Sequence, residues 1–213
     1  MEAPDSNRYL NSSKNWWKYD PKWAVLKAIT KQEVVLDVGC SYGDFGIKLI
    51  EKGCSVDGVE IYDPAYQQAT EVLRAVYRLD MDYPELIKNG LKKEYSVITF
   101  MDVLEHCKDP ESVLRAYKEK LIEGGKIFIS VPNILNVRER LSFLFGKFEY
   151  QEYGVLDKTH LRFYTKNTAL MLMKKVFKNV NLLECTPRYN FLKPFVRFWP
   201  EMFSLQFVIE GSD

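Results

Sequence analysis

An α/β fold with a parallel sheet covered by helices on both faces is what this chain of 213 residues predicts. Three observations carry that expectation. Short apolar, β-branched runs alternate with segments of helical period along the length of the chain. The first such run, Val34 to Val38, passes through a turn with glycines at 39, 43 and 46 into a helix. Acidic residues end or follow four of the first five runs, and in open parallel sheets the carboxyl ends of strands are where ligands bind.

The elements follow in order. Residues 1–20 form a polar lead-in, and Asp20-Pro21 opens a helix through Ile29, since aspartate caps and proline starts helices. Val34 to Val38 is the first strand, Phe45 to Lys52 a helix, and Ser55 to Glu60 the second strand. A helix over Pro64 to Leu73 leads to a third strand, Ala75 to Leu79, and a short helix over Pro84 to Leu91. Tyr95 to Met101 is the fourth strand, and Pro110 to Leu121 the next helix. Gly124-Gly125 turns the chain into a fifth strand, Lys126 to Val131. Thr165 caps a helix that places Leu170, Met173, Val176 and Phe177 on one face. Runs near Val180 to Cys185 and Leu205 to Ile209 complete the pattern. Two connections are too long to be plain links, Asn133 to Tyr164 and Arg188 to Ser204, and such segments carry function or structure of their own. The whole chain, 1–213, reads as one domain carrying those two insertions.

Composition limits the classes of function. A formal charge of +1 gives no electrostatic reason to expect a nucleic-acid partner. No apolar run reaches the ~20 residues that span a bilayer, and the polar start has no secretory-leader pattern. Cys40, Cys54, Cys107 and Cys185 show no paired spacing, so free thiols in a reducing compartment, the cytoplasm, are expected.

The chemistry starts at the first turn. Glycines there let the backbone turn sharply and approach a ligand, and amides at the start of the following helix favour electron-rich groups. Glu60, at the tip of the second strand, is placed to accept hydrogen bonds from a ribose. A dinucleotide fingerprint needs G-x-G-x-x-G, whereas here Ser41 and Asp44 occupy the second and third glycine positions, which disfavours a nicotinamide oxidoreductase. Asp37-Val38-Gly39-Cys40-Ser41-Tyr42-Gly43 instead resembles the first motif of class I S-adenosylmethionine-dependent methyltransferases, with Ser41 at the middle glycine. The resemblance covers residues 33 to about 178. It implies a Rossmann-like, doubly wound sheet of seven strands with the last one antiparallel, and S-adenosylmethionine as cofactor. It also implies that Asp37, Gly39, Cys40, Ser41 and Gly43 surround the methionyl part, with Glu60 and Ile61 at the ribose. Asp80 and Met81 would flank the adenine, and Met101 and Asp102 the sulfonium side.

Met101-Asp102-Val103-Leu104-Glu105-His106, followed by Asp109-Pro110, is similar to a segment of many small-molecule methyltransferases. His106 has two readings, a base taking a proton from an acceptor hydroxyl or a residue that caps a helix or fences the cofactor. Asp102, Glu105 and His106 also resemble the E-x-x-E-H arrangement of metal-dependent quinone and RNA methyltransferases. Aspartate is shorter than glutamate and a hard ion needs more oxygen ligands, so no metal is expected.

Gly154-Val155-Leu156-Asp157-Lys158-Thr159-His160-Leu161-Arg162-Phe163 resembles a segment of a methyltransferase subgroup tied to surface-glycan and secondary-metabolite pathways. His160 and Arg162 are then acceptor-side candidates, His160 a second possible base, or they clamp the insertion to the sheet. Ile134, Val137, Leu141 and Leu144 recur at helical spacing and predict a lid helix with its apolar face inward. The aromatic segment 188–204 offers an acceptor wall or a membrane contact. Core packing or a homodimer contact is its expected use. The functional expectation is methyl transfer to an oxygen, less readily a nitrogen, of a small molecule or glycan. Two alternatives stay open, an inactive cofactor-binding partner and a metal-assisted quinone-type or RNA-end enzyme.

Overall fold

A computed structural model describes residues 20–91, 94–187 and 190–213. The expected lead-in, apart from Asp20, lies outside the described residues, as do Arg188 and Tyr189 of the aromatic segment. In chain order the elements are α1 (Pro21–Ala28), β1 (Val34–Val38), α2 (Asp44–Glu51), β2 (Ser55–Val59), α3 (Asp63–Val72), β3 (Ala75–Tyr77), α4 (Pro84–Gly90) and β4 (Tyr95–Met101). Then come α5 (Pro110–Lys118), β5 (Leu121–Pro132), α6 (Val137–Leu144), α7 (Lys166–Val176), β6 (Asn179–Pro187), α8 (Lys193–Phe198), α9 (Pro200–Phe203) and β7 (Ser204–Ser212). Single 3-10 turns precede α5, at Leu104–His106, and α8, at Asn190–Leu192.

The seven strands form one sheet in the order β3-β2-β1-β4-β5-β7-β6. Pairings from β3 to β5 are parallel, and β7 runs antiparallel between β5 and β6, as expected. The chain winds outward from β1 to β3 and then crosses back to β4. The carboxyl ends of β1 and β4 therefore border the crevice where the strand order reverses.

Strand alternation divides the core between the two faces. Leu36 and Val38 of β1, Ile98 and Phe100 of β4, and Ile127 and Ile129 of β5 meet α5 and α7 on one side. Val35, Val97 and Phe128 meet α1 and α2 on the other. Caps set the helix starts: Asp20 accepts from the Lys22 amide at 2.8 Å, Asp109 from Ser112 at 3.1 Å, and Thr165 from Thr168 at 3.2 Å.

Three expectations about elements need correction. The helix from Pro110 ends at Lys118, and β5 already begins at Leu121, so Gly124-Gly125 lies inside a strand that is irregular beside Tyr95 and Val97. The lid helix exists as α6, capped by Asn136, but its apolar face points out. Leu141 and Leu144 are exposed, the latter by 75%, while Glu139 is buried. The aromatic segment does not join the core, because Phe191, Phe195, Phe198 and Trp199 are all exposed. Helical spacing locates a stripe but not the direction it faces.

Candidate active site at the strand ends

At the end of β1 the chain turns through three left-handed residues, Gly39, Ser41 and Gly43, with φ of 68°, 49° and 86°. A side chain at Gly39 would put its Cβ 2.7 Å from Val103, so glycine is what lets the turn lie under the loop after β4. Ser41 holds the position where the family motif has a glycine, and its amide donates to Glu60 Oε2 at 2.9 Å. Glu60 Oε1 accepts the amides of Ile61 and Tyr62, both at 2.8 Å. Gly39 and Cys40 donate to the Val59 carbonyl, and Gly43 to that of Cys40. The amides of Gly39, Cys40, Ser41 and Gly43 are thus bonded within the protein, while the helix that follows begins at Asp44. A carboxylate has about four lone-pair sites, and Glu60 keeps capacity for hydroxyls beyond its three amides. The Cys40 side chain is buried against Gly58, and burial holds its thiol well above the ordinary range.

Asp37 lies one residue before the end of β1, fully buried, and accepts from Thr99 Oγ1 of β4 at 2.7 Å. Burial pushes its carboxyl up to about 6, with Thr99 and Lys22 opposing the shift. Beyond β3, Asp80 Oδ1 accepts from the Asp82 amide at 3.0 Å, and Met81 Sδ lies 3.5 Å from Cys107 Sγ. The Met81–Cys107 contact, with the Lys108 amide donating to Asp82 Oδ1 at 2.8 Å, ties the loop after β3 to the loop after β4. Met101 is buried at the end of β4, whereas Ile61 is half exposed at the end of β2.

Asp102 has a φ of 59°, a conformation that costs a non-glycine residue of order 1–3 kcal/mol and persists when neighbours over-determine it. Here Ser130 Oγ accepts its amide at 2.9 Å, and its Oδ1 accepts from Ser130 Oγ and Gln206 Nε2, both at 2.7 Å. Ser130 and Gln206 carry no motif signal in the sequence, because they meet Asp102 only through the pairing of β5 with β4 and β7.

The acceptor side is built by the 3-10 turn and the end of the first insertion. The Glu105 carbonyl accepts the amides of Leu161 and Arg162 at 2.8 and 3.0 Å. The Arg162 guanidinium donates to the Lys108 carbonyl at 2.5 Å, which makes Arg162 a clamp on the insertion. The same docking brings the His160 ring to 4.8 Å from that of His106, edge to face. His160 Nδ1 lies 3.0 Å from the Val155 carbonyl, which can only accept, so Nε2 carries the lone pair of the neutral ring. That Nε2 faces Glu105 Oε1 at 4.0 Å. Glu105 is 1% exposed and its Oε2 has no hydrogen-bond partner. Burial first, then the charge of Asp102, holds its carboxyl well above the ordinary range. Burial likewise lowers His160 below its ordinary 6.5. His106 is exposed, with Nδ1 3.3 Å from the Thr159 carbonyl and 3.2 Å from its hydroxyl.

The residues that gather with metal-ligand spacing are Glu105, His106 and His160, their donor atoms within 4.8 Å of one another. Asp102, the third member of the sequence-derived set, is instead held by Ser130 and Gln206. All four cysteines are free. Among the described residues no helix is long and apolar enough to cross a membrane.

The sequence and the fold have counterparts in known proteins. The family described as "Methyltransferase domain" matches residues 18–180. The chain is 31% identical over 102 residues to a ubiquinone biosynthesis O-methyltransferase of Citrobacter koseri, covering 46% of this chain and 42% of that one. It is 27% identical over 135 residues to the protein of that name from Pseudomonas entomophila, covering 55% and 58%. The chain thus matches about half the length of these relatives. Its fold resembles an S-adenosylmethionine-dependent methyltransferase of Archaeoglobus fulgidus, with a TM-score of 0.65 at 18% identity over 90% of this chain and 94% of that one. It also resembles the magnesium protoporphyrin IX methyltransferase of Synechocystis, solved with bound S-adenosylhomocysteine, with a TM-score of 0.59 at 16% identity over 91% and 80%. The turn after β1, the acidic strand ends and the antiparallel β7 are therefore those of a family member: the chain belongs to the methyltransferase-domain family and has the fold of S-adenosylmethionine-dependent methyltransferases.

Proposed function

We propose that this chain moves a methyl group from S-adenosylmethionine to an oxygen, less readily a nitrogen, of a small-molecule or glycan acceptor. The observation that carries the proposal is the convergence of Asp37, Glu60, Asp80 and Asp102 at the carboxyl ends of β1 to β4, beside the paired rings of His106 and His160. The donor set suits the cofactor, since carboxylates accept from ribose hydroxyls, an adenine amine and an ammonium group. Bound there, the cofactor supplies a methyl carbon activated by its sulfonium. Glu60 would hold the ribose hydroxyls beside Ile61, with Asp80 and Met81 at the adenine. Asp37 and the turn through Gly39, Cys40, Ser41 and Gly43 would hold the methionyl part, and Met101 and Asp102 would line the reacting side.

His106 is the better-placed base. Its exposed ring can donate a hydrogen bond from Nδ1–H to the Thr159 carbonyl, which leaves the Nε2 lone pair to receive a proton from an acceptor hydroxyl. His160, held below its ordinary range by burial, backs His106. The relatives' O-methyltransferase names support an oxygen acceptor, and the motif around His160 supports the small-molecule or glycan class. The cytoplasm remains the proposed location, and a homodimer a possible assembly.

A second reading has its own observation, the gathering of Glu105, His106 and His160. A divalent ion held by those three side chains would orient and acidify an acceptor hydroxyl. The deciding experiment supplies labelled cofactor and a broad acceptor pool, and follows label with and without a chelator. Transfer in both conditions supports the proposal, and transfer only with metal supports the second reading. Cofactor binding without transfer to any acceptor would make the chain a binding partner.

A further inference from the structure

The two insertions leave the sheet at one place. The end of β5 pairs with the start of β7, Pro132 opposite Gln206, and the Asn133 amide donates to the Leu205 carbonyl. The buried Asn133 side chain donates to the carbonyls of Glu201 at 3.0 Å and Ser204 at 2.9 Å. Lys166 pairs with Glu201 beside it. Segment 133–164 and segment 190–203 are thus pinned together, next to the Gln206 that holds Asp102.

Both segments turn large apolar side chains outward. Phe198 is 86% exposed, Leu144 and Phe145 are each 75% exposed, and Leu141, Phe195 and Trp199 are exposed as well. Monomeric soluble proteins rarely leave so much apolar surface in one region without a use for it. The surface is continuous with the acceptor side through aromatic rings. His106 meets His160 at 4.8 Å, His160 meets Phe163 at 6.4 Å, Phe163 meets Phe148 at 6.0 Å, and Phe148 stacks on Phe143 of α6 at 5.5 Å.

Charge selects the occupant. The stretches 133–164 and 188–204 hold eight Lys or Arg against five Asp or Glu, in a chain of net charge +1. The basic excess is thus concentrated on the insertions, and the remainder of the chain is slightly acidic. Arg138, Lys147 and Arg197 are exposed and lie within a few residues in sequence of the exposed Leu141, Leu144, Phe145, Phe195, Phe198 and Trp199. Aromatic and aliphatic side chains flanked by basic ones suit the headgroup region of an anionic bilayer. A symmetric second copy suits it less, because a two-fold contact sets the same basic patch against itself.

We infer that the outward faces of α6 and α8, with Phe145 and Trp199 at their ends, form a docking surface for an anionic lipid bilayer. The acceptor side then opens at the membrane surface, and an acceptor with an apolar tail reaches His106 along the line of rings. That consequence for the acceptor rests on the transferase reading above. Docking itself does not, and it is measured without cofactor or acceptor.

The test mixes the full chain with vesicles of phosphatidylcholine, or of phosphatidylcholine with a minority of phosphatidylglycerol, and separates bound protein by flotation. Binding to the anionic vesicles is expected, weakened by salt and by Arg197→Gln. Phe198→Ser combined with Leu144→Ser should reduce it on the order of tenfold or more. Both side chains are exposed, so an unchanged thermal melt confirms that the variant is folded. An independent measurement uses the unaltered protein: brominated lipid should quench tryptophan emission, and Trp199→Phe should remove part of that quenching. Absence of flotation and quenching with the anionic vesicles would overturn the inference. So would a concentration-dependent dimer in ultracentrifugation that the same double substitution dissolves, since the surface would then belong to a second copy. Failure to bind vesicles alongside detectable methyl transfer would refute the surface and leave the transferase reading standing.

Discussion

Asp37→Asn separates the cost of burying a charge at the end of β1 from its use. The native carboxyl titrates near 6 instead of its ordinary 3.8, chiefly because it is buried. Between those values the folded state holds the proton more tightly than the unfolded chain does, so stability must fall as pH rises. The shift is roughly two units, and at 1.36 kcal/mol per unit the folded protein loses about 3 kcal/mol between pH 4 and pH 7 through this one group. Asparagine removes that dependence. It can keep the 2.7 Å hydrogen bond from Thr99, but it also buries an amide NH₂, at a cost of about 1–3 kcal/mol if no acceptor meets it. Net stability at pH 7 should therefore change little, while its pH slope changes a great deal. Denaturant unfolding at several pH values in this window, for both proteins, reads the difference and cancels groups common to the two. The proposed role at the methionyl ammonium adds a second expectation: cofactor should bind the natural protein more tightly as pH rises through 6, and the variant should lose that trend. Parallel stability profiles for the two proteins would refute the argument, because the carboxyl could then not be the buried, proton-holding group described.

Three further outcomes are expected. Glu60→Ala should weaken S-adenosylmethionine and S-adenosylhomocysteine binding about ten- to a hundredfold, since hydrogen bonds to a charged group contribute about 1.5–3 kcal/mol; calorimetry with unchanged affinity would remove Glu60 from the ribose site. His106→Ala should lower turnover by roughly 10²–10⁴ with cofactor affinity nearly unchanged, and His160→Ala should do less. Equal rates for all three proteins would leave positioning of the acceptor as the main catalytic effect. Activity should survive exhaustive chelation; metal-dependent rescue that Glu105→Gln abolishes would favour the metal-assisted reading.

The parts of the fold visible in sequence were those governed by local rules. β1, the turn after it, the acidic strand ends and the capped helices at Asp20, Asp109 and Thr165 depend on periodicity, glycine and capping chemistry within a few residues. The harder parts depend on what lies across space. Ser41 looks like a defect in the motif until its amide is seen bonded to Glu60, nineteen residues away in sequence. Ser130 and Gln206 are ordinary polar residues on strands, and only sheet register brings them to Asp102. The apolar stripe of α6 was legible as a helix, but its outward direction follows from Asn133 and Asn136 fixing the chain as it leaves β5. His160 was legible through its motif, yet its contact with His106 arises from Leu161 and Arg162 docking on the Glu105 carbonyl.

That docking also sets Glu105, rather than its neighbour Asp102, beside the histidines. Its carbonyl holds the end of the first insertion, while its buried carboxyl faces the only two histidines of the chain. A charge there would have no hydrogen-bond partner on Oε2, and the nearest cationic candidate, His160, is itself pushed toward the neutral form. The pair is least costly when it carries no net charge, either as a neutral acid beside a neutral ring or as carboxylate and imidazolium sharing one proton. Either arrangement leaves the exposed His106 ring next to a site that resists a second positive charge less than a bare imidazole pair would. The insertion is thus joined to the turn after β4 through one residue, with the backbone of Glu105 holding Leu161 and Arg162 and its buried side chain lying beside His160.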